Sequence, residues 1–167
     1  MTTPQFIIDI RRKIGHDPLW LSGITAFVRD DDGRILLGRR ADTGEWALVY
    51  GIIEPGEDPA RACVREVLEE TGVVVEPVWL VRVASSDQLV VYGNGDQCWF
   101  LDIMFWCRPR AGEPIEPRVN DDESVDVGWF DPSDLPEPLS SSTRERLRAV
   151  RAFAERHAAG NDAALFG

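Results

Sequence analysis

The segment from Gly51 to Val73, with the sequence GIIEPGEDPARACVREVLEETGV, constrains the fold more than any other part of this chain. Asp58 followed by Pro59 is typical of a helix start, because aspartate is a favoured N-cap and proline suits the first helical position. Gly72 can adopt the left-handed conformation that closes many helices. The segment therefore predicts a loop followed by a helix that ends at Gly72.

The two sides of this predicted helix differ in character. Apolar residues that share one side predict a buried stripe: Val64, Val67 and Leu68, with Ala60 and Cys63 nearby. Glu66, Glu69 and Glu70 lie within roughly 100° of arc on the other side, since residues three and four apart are neighbours. Their carboxylates repel one another, and they occupy the last turns, where the helix dipole disfavours negative charge.

Such a charge run usually marks a solvated face of a helix. That interpretation does not explain Arg65, the preceding loop with Gly51 and Glu57, or the concentration of charge at the unfavourable helix end. A hard divalent cation explains all three carboxylates, because Mg²⁺ prefers oxygen ligands and keeps waters and substrate phosphates in its shell. The spacing therefore favours a metal site.

The whole segment resembles the Nudix box, G-x5-E-x7-R-E-U-x-E-E-x-G-U, where U is a bulky apolar residue. All nine specified positions are filled, by Gly51, Glu57, Arg65, Glu66, Val67, Glu69, Glu70, Gly72 and Val73. The resemblance, which extends to MutT-like proteins, implies a Mg²⁺-dependent pyrophosphohydrolase, with Mn²⁺ as a substitute ion. Its substrate would be a nucleoside diphosphate linked to another moiety, such as an NTP, a dNTP or ADP-ribose, cleaved by water attack on phosphorus.

The resemblance also implies roles for individual residues. Glu66, Glu69 and Glu70 match the metal-binding glutamates of the box, and Glu66 is the leading candidate for the general base. Glu57 and Arg65 match the ion pair that braces the loop against the helix. The implied catalytic set is therefore Glu66, Glu69, Arg65 and Glu57.

Two further metal ligands are expected outside the glutamate cluster. In related enzymes the residue before the box glycine can offer its backbone carbonyl to the metal, and here that residue is Tyr50. Many relatives carry a proline and two glycines at this point, so the Tyr50 ring changes the pocket floor. Glu123 is the candidate for an additional ligand, with a solvated acidic loop as the alternative interpretation.

Aromatic side chains are expected to hold the nucleoside, because stacking on a base contributes about 1–3 kcal/mol. The candidates for substrate binding are Tyr50, Trp46, Tyr92 and Trp99. Core packing is the alternative for each tryptophan. Only Tyr50 is tied to the site by its position next to Gly51.

The remaining titratable and thiol side chains are predicted to be structural. His16 follows a helix end and His157 lies near the chain terminus, which favours surface duty for both. Cys63, Cys98 and Cys107 lack paired metal-type spacing and lie in apolar elements. We expect them to behave as small core residues in a reducing cytoplasm.

The order of elements predicts an α/β fold. Strands are expected at 22–29, 34–40, 73–84 with a break at Pro77, 89–92, 97–107 and 124–130, and helices at 3–14, in the box and at 142–157. Residues 46–50 lead into the box. Ser142 and Glu145 are the predicted capping box of the last helix. The resemblance implies a Nudix-type α/β/α sandwich, with a mixed β-sheet packed between helices in a single domain. We divide the chain into an N-terminal helical segment (1–20), a Nudix hydrolase domain (21–157) and a flexible tail (158–167).

Composition limits the partners. A net charge of −11 argues against a nucleic acid polymer, whereas an acidic protein can bind nucleotides if metal ions neutralise the site. No apolar run approaches 18 residues and the first residues lack a signal-peptide core, so a membrane span and secretion are not expected. The expected protein is cytoplasmic and acts on a small nucleotide or diphosphate; a homodimer is compatible with the sequence.

Two other classes share this fold and stay open. A catalytically silent, ligand-binding Nudix regulator usually has a broken box and an added DNA-binding domain. An isoprenoid-diphosphate isomerase needs a protonating cysteine near its substrate, and Cys63 is predicted to face the core. The sequence does not select the substrate, the general base, the number of metal ions or the oligomeric state.

Overall fold

The computed structural model describes residues 3–166, so the first two residues of the predicted N-terminal segment and Gly167 of the predicted tail lie outside it. The elements are α1 (Gln5–Ile14), β1 (Leu19–Val28), β2 (Ile35–Arg40), β3 (Trp46–Ala47), β4 (Val49–Ile52), α2 (Pro59–Thr71), β5 (Val75–Ser85), β6 (Val90–Val91), β7 (Gln97–Pro109), β8 (Ser124–Phe130), α3 (Ser141–Ala158) and β9 (Leu165–Phe166). No helix within the described residues is long and apolar enough to cross a membrane.

A mixed sheet forms the centre of the fold. Its strand order is β4-β1-β7-β5-β9, with β6 also paired to β7. β1 runs parallel to β7 and β5 runs parallel to β9, whereas the other pairs are antiparallel. α2 covers one face of this sheet, where Ala62, Cys63 and Val67 pack against Ile24 and Ala26.

The opposite face is shared by α1 and α3. Ile7 of α1 packs against Leu21, and Phe153 of α3 packs against Phe27. Leu21 and Phe27 point to the same side of β1 because they are an even number of residues apart. Thr25 lies between them on that side. Helices on both faces of a mixed sheet confirm the predicted α/β/α sandwich.

A smaller antiparallel sheet, β3-β2-β8, packs beside the large one. Ile35 to Leu37 of β2 are buried. Gly38 follows them opposite Val127 of β8, and Arg40 ends the strand opposite Ser124. This sheet therefore brings the end of β2 next to the loop that precedes β8.

The box helix begins and ends as predicted, but its buried face is rotated relative to the prediction. Gly72 has φ 70° and closes α2 in the left-handed conformation, whereas the Asp58 side chain makes no capping hydrogen bond. Leu68, predicted in the buried stripe, is 40% exposed. Glu66 and Glu70 are buried instead, since the Glu66 carboxylate lies against Gly51 of β4 and the 118–120 segment hydrogen-bonds to the end of the helix. Asn120 Nδ2 donates to the Leu68 carbonyl at 3.1 Å.

The predicted strands are confirmed with small differences in their bounds. Ser124–Phe130 forms β8 as predicted. Pro77 does not break β5, which runs from Val75 to Ser85 and absorbs the proline in a register shift between Pro77 and Trp79. The predicted 89–92 strand is only the short β6.

The last helix is capped by a different residue from the one predicted. The N-cap is Ser140, whose Oγ accepts a hydrogen bond from the Thr143 N–H at 3.2 Å. Glu145, the expected capping-box partner, instead accepts from Arg82 Nη1 at 2.8 Å. Beyond α3 the chain returns to the sheet, where Leu165 pairs with Arg82 in a segment that the sequence predicted to be a loose tail.

Thr143 links α3 to the strands that lead into the box. Its Oγ1 accepts a hydrogen bond from the Leu48 N–H at 3.0 Å, and both residues are buried. An unpaired buried N–H costs about 1–3 kcal/mol. We expect Thr143→Val to lower the free energy of unfolding by that amount in urea denaturation. Ser141→Ala, at an exposed position of the same helix turn, is the control; equal stability of the two variants would contradict the link.

Candidate active site

Arg65 and Glu57 form the predicted brace between the loop and α2. Arg65 Nε donates to Glu57 Oε1 at 2.8 Å, and Arg65 Nη2 donates to Glu57 Oε2 at 2.9 Å. Nη2 also donates to the Ile52 carbonyl at 3.2 Å, and the Glu54 N–H donates to Glu57 at 3.1 Å. The hydrogen bonds from Arg65 lower the pKa of Glu57. The loop is thereby fixed against the helix by a bidentate charged pair.

The third nitrogen of the same guanidinium connects two of the three clustered glutamates. Arg65 Nη1 donates to Glu66 Oε1 at 2.9 Å and to Glu69 Oε2 at 3.0 Å. The Glu66 side chain is 11% exposed, whereas the Glu69 side chain is 53% exposed. Arg65 therefore offsets part of the negative charge at the end of α2.

Gly51 is required by the position of Glu66. A Cβ atom built on Gly51 would overlap the Glu66 carboxylate. Glu66 can reach β4 only because the residue there has no side chain. The box glycine thus permits a close approach between the strand and the glutamate.

Glu70 is the most deeply buried of the three glutamates. The residue is 6% exposed, and within residues 3–166 its Oε1 has no hydrogen-bond partner. Gly38 of β2 lies beside it, since a Cβ there would be 3.9 Å from Glu70 Oε2, an ordinary van der Waals distance. Burial raises the pKa of Glu70 well above its usual range, and the charges of Glu123 and Asp121 add to this effect.

Glu66 also holds its proton more tightly than an ordinary glutamate. Burial raises the pKa of Glu66 to about 7 against the opposing effect of Arg65, and the charges of Glu69 and Glu123 raise it further. Negative charge at the end of α2 is therefore under-compensated by the protein. A buried oxygen without a partner and carboxylates that resist ionisation fit a site that receives a cation.

The carboxylates do not form a finished coordination sphere in this arrangement. Among residues 3–166, no three Asp, Glu, His or Cys side chains converge at metal-ligand spacing. Arg65 accounts for this, because its Nη1 draws Glu66 and Glu69 toward the guanidinium. A cation would have to share these two carboxylates with Arg65.

The two predicted outer ligands lie near the cluster. Tyr50 precedes Gly51 in β4, opposite Thr25 of β1. Glu123 sits in the loop before β8, where its N–H donates to Asp121 Oδ1 at 2.9 Å and its carbonyl accepts from the Ala41 N–H at 2.8 Å. Its charge acts on both Glu66 and Glu70. Metal ligation by either residue stays a prediction.

Of the four aromatic candidates, Tyr50 adjoins the site through Gly51, whereas Tyr92 lies in the turn between β6 and β7 and is 45% exposed. Partial desolvation raises the pKa of Tyr92 to about 12. Trp46 is 8% exposed and packs edge-on against Phe130, with ring centroids 4.8 Å apart.

Trp99 points away from this group. It is an odd number of residues from Asp102 on β7, so the two side chains emerge from opposite faces of the sheet. Asp102 faces the Tyr50 side, where it accepts a hydrogen bond from Thr25. Trp99 is therefore on the α2 side of the sheet, beside its strand partner Trp20, which is 59% exposed.

The histidines and cysteines have the structural environments that were predicted. His16 contacts Asp96 through Nδ1 at 2.8 Å, and His157 contacts Asp162 and stacks on Phe153. Cys63, Cys98 and Cys107 are all buried, and the sulfur atoms of Cys63 and Cys107 lie 3.4 Å apart.

Four residues of the site region were missed by sequence reasoning: Gly38, Arg40, Asp102 and Arg146. The Cζ atoms of Arg40 and Arg146 lie 5.0 Å and 5.3 Å from the centroid of the Tyr50 ring. Arg40 and Arg146 are far apart in the sequence, so no local motif connects them. A pair of arginines at the end of β2 was the one available signal, and an arginine is common on exposed strand ends.

With this geometry established, the chain can be placed among known proteins. It matches the NUDIX domain family over residues 20–150, which is most of its length. The chain therefore belongs to the Nudix hydrolase family.

Individual relatives agree with this assignment. The chain is 33% identical to a MutT-like protein of Streptomyces ambofaciens, over 78% of this chain and 76% of that protein. It is 30% identical to the 8-oxo-dGDP phosphatase NUDT18 of Mus musculus, over 81% of this chain but only 38% of the mouse protein. The crystal structure of the MutT NUDIX hydrolase from Burkholderia pseudomallei superimposes with a TM-score of 0.64 at 32% identity, over 79% of this chain and 98% of that one.

The close approach of Gly51 and Glu66 can be tested by adding one methyl group. We expect Gly51→Ala to destabilise the protein by about 1–3 kcal/mol, since overpacking displaces the carboxylate or the strand. Gly93→Ala is the matched control, because a Cβ at Gly93 meets no atom within 4 Å. Urea denaturation of both variants makes the comparison, and equal midpoints would show that Glu66 is free to move away.

The raised pKa of Glu66 predicts a pH dependence of the metal-free protein. An unfolded glutamate titrates near about 4.3, so the protonated form stabilises the folded state fully below that pH. The contribution, up to about 3 kcal/mol, is lost as the pH rises through the folded pKa of about 7. In EDTA, the free energy of unfolding should fall between pH 5 and 8, and less steeply in Glu66→Gln. Parallel curves for the two proteins would contradict the assignment to Glu66.

Proposed function

We propose that this protein is a Mg²⁺-dependent pyrophosphohydrolase that cleaves a nucleoside diphosphate linked to another moiety by water attack on phosphorus. The observation that carries the proposal is the pair of buried carboxylates, Glu66 and Glu70, at the unfavourable end of α2. Glu70 Oε1 has no hydrogen-bond partner within residues 3–166, although a buried polar atom is normally paired. Burial of these carboxylates does not stabilise the fold, whereas a cation-binding site requires them.

The residues that would hold the cation are Glu66, Glu69 and Glu70, with the Tyr50 carbonyl and Glu123 as further oxygen donors. An all-oxygen donor set suits Mg²⁺, and Mn²⁺ accepts the same ligands. Such an ion would neutralise the phosphate oxygens and polarise the attacked phosphorus.

The chain's own residues supply the remaining chemistry. Arg65 and Gly51 fix the Glu66 carboxylate, which we assign as the general base that accepts a proton from the attacking water. Glu57 acts as a positioning residue, because it orients the Arg65 guanidinium. The leaving group departs as a phosphate or a phosphorylated moiety, and no covalent intermediate is required.

The substrate that we propose is a free nucleotide rather than a polymer. The mouse relative is named for its action on 8-oxo-dGDP, and the net charge of −11 is unfavourable for long nucleic acids. Nucleoside triphosphates, nucleoside diphosphates and ADP-ribose all carry the phosphoanhydride that this chemistry needs. We place the reaction in the cytoplasm. The buried cysteines offer no proton donor for an isomerase.

Replacement of Glu70 by glutamine separates catalysis from stability. Neutralising this buried carboxylate removes repulsion and an unfavourable dipole interaction, each about 0.3–1 kcal/mol. Metal-free Glu70→Gln should therefore melt at the same temperature as wild type or higher. Millimolar Mg²⁺ should raise the Tm of wild type by mass action, and the rise should be much smaller in the variant. Phosphate release should fall by several orders of magnitude.

The control is Glu113→Gln, which removes the same charge from an exposed carboxylate far from the cluster in sequence. Substrates to compare, with Mg²⁺ and with EDTA, are nucleoside tri- and diphosphates including oxidised ones, ADP-ribose, sugar nucleotides and dinucleoside polyphosphates, with products identified by chromatography. Absence of Mg²⁺-dependent release from all of them would favour the regulator or isomerase alternatives. An equal Mg²⁺-induced Tm shift in wild type and Glu70→Gln would remove Glu70 from the metal ligands.

A further inference from the structure

Two arginines from distant parts of the chain meet on one tyrosine ring. Arg40 ends β2 and Arg146 lies in the second turn of α3, yet both guanidinium carbons are within 5.3 Å of the Tyr50 ring centroid. This distance is within the range of a cation–π interaction, about 6 Å. Their side chains are only 17% and 19% exposed. Two largely buried positive charges therefore lie against the ring of Tyr50, the residue that directly precedes Gly51.

Each arginine donates hydrogen bonds to one carboxylate. Arg40 donates from Nε and Nη2 to the two oxygens of Asp42 at 2.8 and 2.7 Å. Arg146 donates from Nε to Asp102 Oδ2 at 3.2 Å, and the other Asp102 oxygen accepts from Thr25 Oγ1 at 2.8 Å. Thr25 is fully buried. Asp102 thus connects Arg146 to the central strand of the sheet.

These contacts leave hydrogen-bond donors unused. Within residues 3–166, Nη1 of Arg40 and both terminal nitrogens of Arg146 donate no hydrogen bond. None of these nitrogens is among the fully buried, unpartnered atoms of residues 3–166, so they reach solvent, and their planar forks match the oxygens of a phosphate. The carboxylate cluster is close, since the charge of Glu70 acts on both Arg40 and Tyr50.

We propose that Arg40 and Arg146, stacked on Tyr50, form an anion subsite for a phosphate group of the substrate, with Asp102 as a positioning residue for Arg146. This inference rests on the proposed function, because it assigns the second end of the same phosphate chain. The glutamates hold one phosphate through a cation, and the guanidiniums hold its neighbour directly. The Tyr50 ring serves as the platform that orients both guanidiniums, a role distinct from stacking on a base.

The first test measures anion binding without metal or turnover. Inorganic pyrophosphate is titrated into the protein in EDTA by calorimetry at low ionic strength. We expect wild type to bind and Arg146→Gln to bind at least tenfold more weakly, because the unused donors are lost. Arg148→Gln is the matched control, since it removes the same charge from an exposed position two residues along α3. Absence of binding by wild type, or equal loss in both variants, would overturn the proposal.

The second test separates the subsite from a purely structural ion pair between α3 and the sheet. Arg146→Lys keeps a cation for Asp102 but loses the planar group that stacks on Tyr50 and forks to phosphate. We expect the Tm of Arg146→Lys to stay near wild type while its KM rises severalfold and kcat changes less. A purely structural role predicts wild-type KM together with wild-type Tm, and that result would overturn the proposal.

The two proposals fail in different ways. If wild type releases no phosphate with Mg²⁺ but pyrophosphate binding still depends on Arg146, the proposed hydrolysis is wrong and the anion subsite stands. If wild type is active and neither KM nor pyrophosphate affinity depends on Arg146, the hydrolysis stands and the subsite is wrong.

Discussion

The arrangement of this protein depends on two carboxylates that are buried side by side at the negative end of a helix. Glu66 and Glu70 are placed there against burial, mutual repulsion and the helix dipole, with Arg65 paired to Glu66 and the charge of Arg40 acting on Glu70. Folding alone would favour apolar residues at both positions. The surrounding structure makes room for the Glu66 carboxylate instead, through Gly51 of β4. Such an unfavourable local arrangement is characteristic of a functional site.

The elements around the site are joined by a few polar contacts. Arg65 fastens the loop to α2 through Glu57, and Thr143 fastens α3 to the Leu48 backbone. Each contact fixes the distance between two elements that contribute site residues. Their effect is to hold the residues of the candidate site in place, and an enzyme needs such fixed geometry.

Negative and positive side chains lie on different sides of the candidate site, an arrangement that suits a ligand with several linked phosphates. Carboxylates gather at the end of α2, where we propose that a cation binds. Arg40 and Arg146 present positive charge on the other side of Tyr50. The overall net charge of −11 does not show this separation, because it is a sum over the whole chain. Each of the two arginines is paired with one carboxylate, Asp42 or Asp102.

Local features of the fold could be predicted because they depend on residues close together in the chain. The helix that Gly72 closes and strand β8 follow from local residue patterns, and the ion pair between Glu57 and Arg65 was implied by the family resemblance. The resemblance to the Nudix family predicted that a mixed sheet is packed between helices. The predicted capping box of α3 was wrong. Glu145 accepts a hydrogen bond from Arg82 in a tertiary contact, and Ser140 caps the helix.

The sequence by itself determined that three glutamates share one side of a helix, since the 3.6-residue period allows no other arrangement. Only the tertiary structure decided that Glu70 is buried and Leu68 is exposed, because burial depends on which segment covers the helix. It also decided that Arg40 and Arg146 meet on Tyr50. That contact joins a strand of one sheet, a strand of another and a distant helix, and no periodicity along the chain encodes such packing.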